Sequence, residues 1–321
     1  IDAASSRKPA DSALDGNRTE IAQCLNATIY LSVLILCASA VGLCSTRAVI
    51  LGFSGFLIGL KAARSRKLTV FLFVSALGCA TVALFQGEFR ATNRWLTLGG
   101  VRVNVLLVLF AHSLGFLQKQ AGSMRLICYG SLVGVLYLMK SVTVPLIFAL
   151  SGWTKQPIKN SAKYALIASL GVGFVFAIHN SPNRRLRLKE YVSGTSYQSR
   201  QVSHVLGSLG FFKRSESVHV HLPGAYTDLA LLHLARCHGV SAVILHAVLV
   251  CGAMKLTRRS NPVFTRVSAC AWIAAIAVNI GAVPVVGVPI PFLGSGGSGW
   301  YAFGFLFGMS VNPCTDNEGN N

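Results

Sequence analysis

LTVFLFVSALGCATVALF, Leu68–Phe85, decides the fold class. The run carries no charged residue and has no alternation of polar and apolar positions. It is close to the roughly 20 residues that a helix needs to cross the hydrocarbon core of a bilayer. In lipid every backbone N–H and C=O must be bonded within the protein, so only helices and closed barrels span it. Barrel strands would alternate polar and apolar residues. A continuous apolar run of this length is therefore a helix. It is entered through the basic stretch KAARSRK, Lys61–Lys67, and left through QGEFRATNR, at positions 86–94.

The same pattern repeats on both sides. Apolar segments fall at Thr28–Leu43, Ala48–Leu60, Val103–Phe116, Leu126–Met139, Val142–Trp153, Tyr164–Ile178, Leu229–Met254, Val267–Val288 and Trp300–Val311. Hydrophobic residues make up 53% of the chain and charged residues 12%, about half the charged share of a soluble domain. This excludes a soluble globular protein, which would need more polar surface. The expectation is an all-α, polytopic integral membrane protein with about ten transmembrane helices. Segments five and six touch at Lys140–Ser141, as a hairpin of two helices or one longer helix.

Charge orients the segments. The net charge is +19. With the N-terminus inside, KAARSRK, QKQAGSMR (Gln118–Arg125), KQPIKNSAK (Lys155–Lys163) and KLTRRSNPVFTR (Lys255–Arg266) all face the cytoplasm. That agrees with the positive-inside rule for short loops. Merging segments five and six would place the second pair of basic loops outside, which favours ten crossings. The charge then implies contact with anionic membrane lipid and no nucleic acid. The expected organisation is a flexible cytoplasmic tail over 1–27, one transmembrane domain over 28–313, and a C-terminal tail over 314–321. An outer loop spans about 180–227. The opening IDAASSRKPADSALDGNRTE lacks the apolar core of a secretory signal.

Candidate functional groups are few. The acids outside the two tails are Glu88, Glu190, Glu216 and Asp228, all on the outer side in this topology. Asp228 opens a helix, either as an N-cap carboxylate or as a general base at the membrane surface. The outer loop supplies Arg184, Arg185, Arg187, Lys189, Arg200, Lys213 and Arg214. They either hold a phosphate or pyrophosphate or lie against headgroups. His219 and His221 either bind a metal with Asp228 or are polar loop residues. Arg236 either snorkels outward or meets a phosphate. Trp95, Trp153 and Trp300 fit an interfacial aromatic belt, and Gly55 and Gly59 have helix-packing spacing. Cys37, Cys79, Cys128, Cys251 and Cys270 lie in apolar runs as small buried hydrophobes, and no CxxC pair occurs.

Four stretches, in order, resemble the SEDS family of membrane proteins (RodA, FtsW and SpoVE). NIGAVPVVGVPIPFLGSGGSGW resembles the family's last-helix motif through Asn279, Ile280, Gly281, Pro284, Gly287, Pro289, Pro291, Phe292, Gly296, Gly297 and Ser298. LPGAYTDLALLHLARCHG keeps Leu222, Pro223, Ala225, Thr227, Asp228 and Gly239 of a second motif. RRLRLKEYVSGTSYQSRQVSHVLGSLG keeps Arg185, Tyr197, Gln198, Gln201, Gly207, Ser208 and Gly210 of a third. ATNRWLTLGGVRV keeps Arg94, Trp95, Leu96, Leu98 and Gly99 of a fourth. PVVGVPIP is nearer the RodA branch. The resemblance covers about Thr28 to Val311.

The resemblance implies a peptidoglycan glycosyltransferase of the bacterial inner membrane. Such an enzyme polymerises lipid II at the outer leaflet beside a class B penicillin-binding protein. Its catalytic carboxylate would be Asp228. The substrate-binding set would be Arg94, Trp95, Arg185, Tyr197, Gln198, Gln201, Thr227, Gly296, Gly297 and Ser298. A divalent cation is the one cofactor this expectation allows, without assigned metal ligands. The departures remove carboxylates: Gly224 stands where the family has Glu, Tyr226 replaces His, and Arg236-Cys237-His238-Gly239 replaces E-E-L-G. Asn104-Val105-Leu106-Leu107 lacks the family's Glu and Lys, and Met139–Val144 lacks its Asp. The alternative is a non-catalytic scaffold or a binder of lipid-linked precursor.

Overall fold

The computed structural model describes residues 9–40, 42, 45–86, 95–98, 101–120, 182–212, 221–222, 224–258, 260–284 and 287–311, with isolated positions between 132 and 179. The expected fifth, sixth and seventh segments lie outside this set apart from those isolated positions, as does Arg94. Among the described residues, seven helices run between two ends of a bundle: α1 (Pro9–Ala40), α2 (Thr46–Arg64), α3 (Arg66–Phe85), α4 (Val105–Gln118) and, later in the chain, three more. Between α3 and α4 lies a hairpin of β1 (Trp95–Leu98) and β2 (Val101–Asn104), with Trp95 opposite Asn104. Two short polar helices, α5 (Pro182–Val192) and α6 (Tyr197–Gly207), occupy the expected outer loop. Then follow α7 (Ala230–His238), α8 (Val240–Arg258), α9 (Val263–Asn279) and α10 (Gly297–Val311).

The membrane reading holds. Thr19–Ala40, α2, α3 and α8 are each long and apolar enough to cross a bilayer, and α4 and α9 are shorter apolar helices. The outside of the bundle is apolar: Phe71, Val74, Phe85, Val248 and Ile273 are exposed. Cys79 and Cys251 share that exposed surface, so the expectation of buried cysteines fails for these two. In lipid an exposed thiol in an apolar run costs nothing that burial would recover.

Three segment boundaries differ from expectation. The first helix begins at Pro9, well before Thr28, so much of the expected tail is helical. The segment Leu229–Met254 is two helices. Gly239 has φ of +84° and ends α7, and a Cβ there would stand 2.4 Å from the carbonyl oxygen of Phe211. The third is Val267–Val288, where α9 stops at Asn279.

The tightest packing joins α2 and α10, which run parallel. A Cβ on Gly55 would lie 2.4 Å from the Tyr301 carbonyl oxygen, and one on Gly59 2.2 Å from that of Phe305. Gly304 and Gly308 reciprocate against the carbonyl oxygens of Gly52 and Phe56, at 2.1 and 2.2 Å. No side chain fits at these four positions, so the backbones touch. Lipid tails give no hydrophobic drive for helix association, and such close approach supplies dispersion contact instead. Around this seam Phe56, Phe264, Phe292, Trp300, Phe303 and Phe307 form a buried aromatic core. Phe264 and Phe307 are centred 5.0 Å apart.

Side-chain bonds mark the two ends. At one end Arg64 meets Glu20 at 3.1 Å, Lys119 Nζ donates to the Ala63 carbonyl at 2.6 Å, and Asn261 donates to Gln118. This end gathers the α2–α3 turn, the end of α4 and the α8–α9 turn, the described parts of three loops expected on the cytoplasmic side. At the other end lie the hairpin, the turn before α7 and the start of α10. All the motif residues discussed next belong there.

Candidate active site

Asp228 sits in a tight turn ahead of α7. The carbonyl of Gly224 accepts the backbone N–H groups of Thr227 at 2.9 Å and Leu229 at 3.0 Å. The Thr227 hydroxyl points at the same oxygen from 3.4 Å. Gly224 has φ of +76°, where L side chains are strained. The glycine that stands in place of the family's Glu is thus part of how this turn is made. The N-cap position of α7 falls on Leu229, not on Asp228. Asp228 itself is partly buried.

Two clamps hold this turn. From α9, buried Asn279 uses both ends of its amide. Its Oδ1 accepts the Leu232 N–H at 2.8 Å, and its Nδ2 donates to the Asp228 carbonyl at 3.1 Å and to Ala275 at 2.8 Å. From the loop before α10, Ser295 donates its N–H to the Tyr226 carbonyl at 2.8 Å, with its hydroxyl 3.3 Å away. Gly294 makes that approach possible: its φ is +93°, and a Cβ would stand 2.8 Å from the Tyr226 oxygen. Tyr226 contributes its carbonyl to the clamp. This is a backbone contact and does not depend on which side chain stands at 226.

The glycine-rich loop is itself tied down. Trp300 is 1% exposed, and its indole N–H donates to the Gly294 carbonyl at 2.8 Å. It is a buried strut, which corrects the expectation of a belt residue. Ser298 accepts the backbone N–H of Asn104 at 3.0 Å and so joins the hairpin of Trp95 to the start of α10. Gly297 faces Leu51 of α2, where a Cβ would come within 2.7 Å. Gly296 is exposed, as is Thr227.

The polar helices of the outer loop dock beside this centre. The Tyr191 hydroxyl donates to the Gly281 carbonyl at 2.9 Å, just beyond Asn279. On α6, Val202 and Val205 are fully buried, and the helix packs on α7. Tyr197 is half exposed and Gln198 and Gln201 are partly buried on α6. Arg185 is exposed on α5.

One buried cation completes the neighbourhood. Arg236 is 6% exposed, and its Nη2 lies 2.8 Å from His233 Nδ1. A guanidinium can only donate. His233 therefore accepts at Nδ1 and is neutral, with its proton on Nε2. Its ring meets that of Tyr226 in a T-shaped pair, 4.8 Å between centroids. Arg236 is turned inward, away from the outward snorkelling that was one expectation. His221 is exposed and His219 lies outside the described residues. Among the described residues, no three His, Cys, Asp or Glu side chains group closely enough to hold a metal ion.

Such an arrangement defines a class: a multi-pass membrane protein whose loops fold over one end of a helix bundle around a clamped turn that carries an aspartate. No family model matches the chain. Among curated proteins it is similar to a probable peptidoglycan glycosyltransferase FtsW of Caulobacter vibrioides, 23% identical over 250 residues, 72% of this chain and 60% of the relative. It is also similar to a probable peptidoglycan glycosyltransferase FtsW of Trichlorobacter lovleyi, 24% identical over 296 residues, 75% of this chain and 74% of that one. The chain thus spans about 60% of the length of the first of these relatives. Among solved structures, a chain of a peptidoglycan synthase complex that coordinates polymerization and crosslinking matches with a TM-score of 0.63 at 14% identity, covering 92% of this chain and 98% of that one. The rod shape determining protein RodA of Thermus thermophilus matches with a TM-score of 0.55 at 15% identity, covering 89% and 95%. In fold and in sequence, then, this chain is similar to the SEDS membrane proteins FtsW and RodA.

Proposed function

We propose that the chain is a peptidoglycan glycosyltransferase that polymerises lipid II at the outer leaflet of a bacterial inner membrane, with Asp228 as its catalytic carboxylate. One observation carries this reading: stretches far apart in sequence, each resembling the family, meet around the Asp228 turn. The clamps from Asn279 and Ser295 fix the turn's backbone on both sides. Positioned groups of this kind are what acid–base catalysis needs.

In the proposed reaction Asp228 takes the proton of the acceptor sugar's hydroxyl. The hydroxyl oxygen bonds to the anomeric carbon of the donor. The bond from that carbon to the lipid pyrophosphate breaks, and the pyrophosphate leaves with the electron pair. Arg185, on the helix tethered through Tyr191, offsets the leaving-group charge. Trp95, Tyr197, Gln198, Gln201, Thr227, Gly296, Gly297 and Ser298, with Arg94, hold the two lipid-linked sugars. A class B penicillin-binding protein is the proposed partner, a pairing supported by the fold shared with a chain of a synthase complex. PVVGVPIP favours a RodA-like role in elongation.

The test is glycan-chain formation from labelled lipid II by the purified protein with its partner, beside Asp228→Asn. Wild type should polymerise. The variant should fold and lose turnover by about 10²–10⁴. Normal polymer from Asp228→Asn would remove Asp228 from the mechanism. No polymer from folded wild type would favour the non-catalytic scaffold that the lost family carboxylates suggest.

A further inference from the structure

The end of the molecule opposite Asp228 carries an open cavity of about 510 Å³ lined by Arg66, Lys67, Val70 and Phe71. Both cations are exposed at the first turn of α3. Of the cations nearby, Arg64 is turned to Glu20 at 3.1 Å and Lys119 to the Ala63 carbonyl at 2.6 Å, while Lys61 is exposed on α2. From the cavity an apolar stripe runs along the outside of α3. Phe71 is 65% exposed and Val74 58%. Gly78 continues it, and a Cβ there would meet nothing within 4 Å. At about 1.5 Å per residue, Lys67 to Gly78 covers roughly one leaflet.

We propose that this cavity binds one anionic phospholipid, its phosphate against Arg66 and Lys67 and an acyl chain along Phe71, Val74 and Gly78. The arrangement supports the assignment: two exposed cations stand one helical turn from an exposed phenylalanine on the same face of α3. A soluble phosphate would leave Val70 and Phe71 without a role. A zwitterionic lipid would bring its own cation toward two others. The charge complementarity selects an anionic lipid of the leaflet at this end. The site is independent of the chemistry at Asp228.

Lipid retention by the full-length protein, read by native mass spectrometry during titration with phosphatidylglycerol or phosphatidylcholine, tests this. Wild type should keep one phosphatidylglycerol in preference to phosphatidylcholine. Arg66→Ala with Lys67→Ala should weaken that binding by about 30-fold. Lys255→Ala with Arg258→Ala removes equal charge from the same end and should leave it unchanged. Equal retention of the two lipids, or equal weakening by the control pair, would overturn the site in favour of diffuse surface charge. If the first pair fails to fold, photoactivatable phosphatidylglycerol on wild type reads the same question. Labelling within 66–78 supports the site, and labelling elsewhere overturns it.

Discussion

Asn279 is the residue on which the Asp228 turn most depends. It is 4% exposed and bonds the Leu232 N–H and the Asp228 and Ala275 carbonyls. Asn279→Ala would leave a helix-start N–H and a carbonyl without these partners in a buried place, at a cost of about 2–3 kcal/mol. The expected outcome is a lower thermal midpoint and polymer formation reduced at least roughly tenfold. Asn279→Asp keeps an acceptor for Leu232 but removes the donor to Asp228 and adds a buried charge, so it should rescue neither quantity. A variant with lowered stability and normal polymer would show that the clamp serves only the fold. Asp228 stands out in the sequence as the one aspartate outside the tails. The role of Asn279 was not. An amide near the end of an apolar run says nothing of its partners until α7 and α9 are brought side by side. Trp300 failed for the same reason: an aromatic next to a glycine-rich loop suits a membrane interface and a buried strut equally well.

At the scale of elements, α2 and α10 form the seam that places the Gly294–Ser298 loop. The pair Gly55 and Gly59 was visible as a spacing, but one such pair in an apolar helix is a weak sign until its partner is known. The partner is the matching pair Gly304 and Gly308, whose carbonyl contacts are as short. Gly304→Leu should therefore push α10 off α2, a cost of at least about 1–3 kcal/mol from overpacking, and release Ser295 from Tyr226. Gly78→Ala serves as the control, since nothing lies within 4 Å of a Cβ there. Gly78→Ala should be neutral or stabilising by up to about 1 kcal/mol, as an alanine replaces a glycine in a helix. Thermal unfolding in detergent distinguishes them, and a Gly304→Leu protein as stable as wild type would remove the seam from the account. The break at Gly239 and the helices inside the outer loop were beyond sequence periodicity. Ala230–His238 continues the apolar pattern of α8, and only the Phe211 carbonyl packed against Gly239 shows why the helix must turn.

At the scale of the whole molecule, the basic short turns and the motif residues lie at two ends separated by the length of the bundle. The Lys/Arg asymmetry of the short loops anticipated this, because charge is costly to carry across lipid and its distribution survives in sequence. The bonds between Glu20 and Arg64, Lys119 and Ala63, and Asn261 and Gln118 gather the cationic turns at one end. Those of Asn279, Ser295 and Ser298 gather the motif residues at the other. The arrangement makes a sharp prediction about accessibility. In a variant whose nine native cysteines are replaced, Arg258→Cys and Arg187→Cys each put a thiol on an exposed position, one at each end. A charged maleimide that cannot cross the membrane should label Arg187→Cys in intact cells and leave Arg258→Cys untouched until the cells are opened. Lysed cells should label both equally. Labelling of both positions from outside, or of Arg258→Cys alone, would turn the molecule over and take Asp228 away from the leaflet where lipid II is to be polymerised. The expected pattern instead places the carboxylate on the cell-wall side and the Arg66–Lys67 cavity in the opposite leaflet, so substrate and bound phospholipid never compete for one surface.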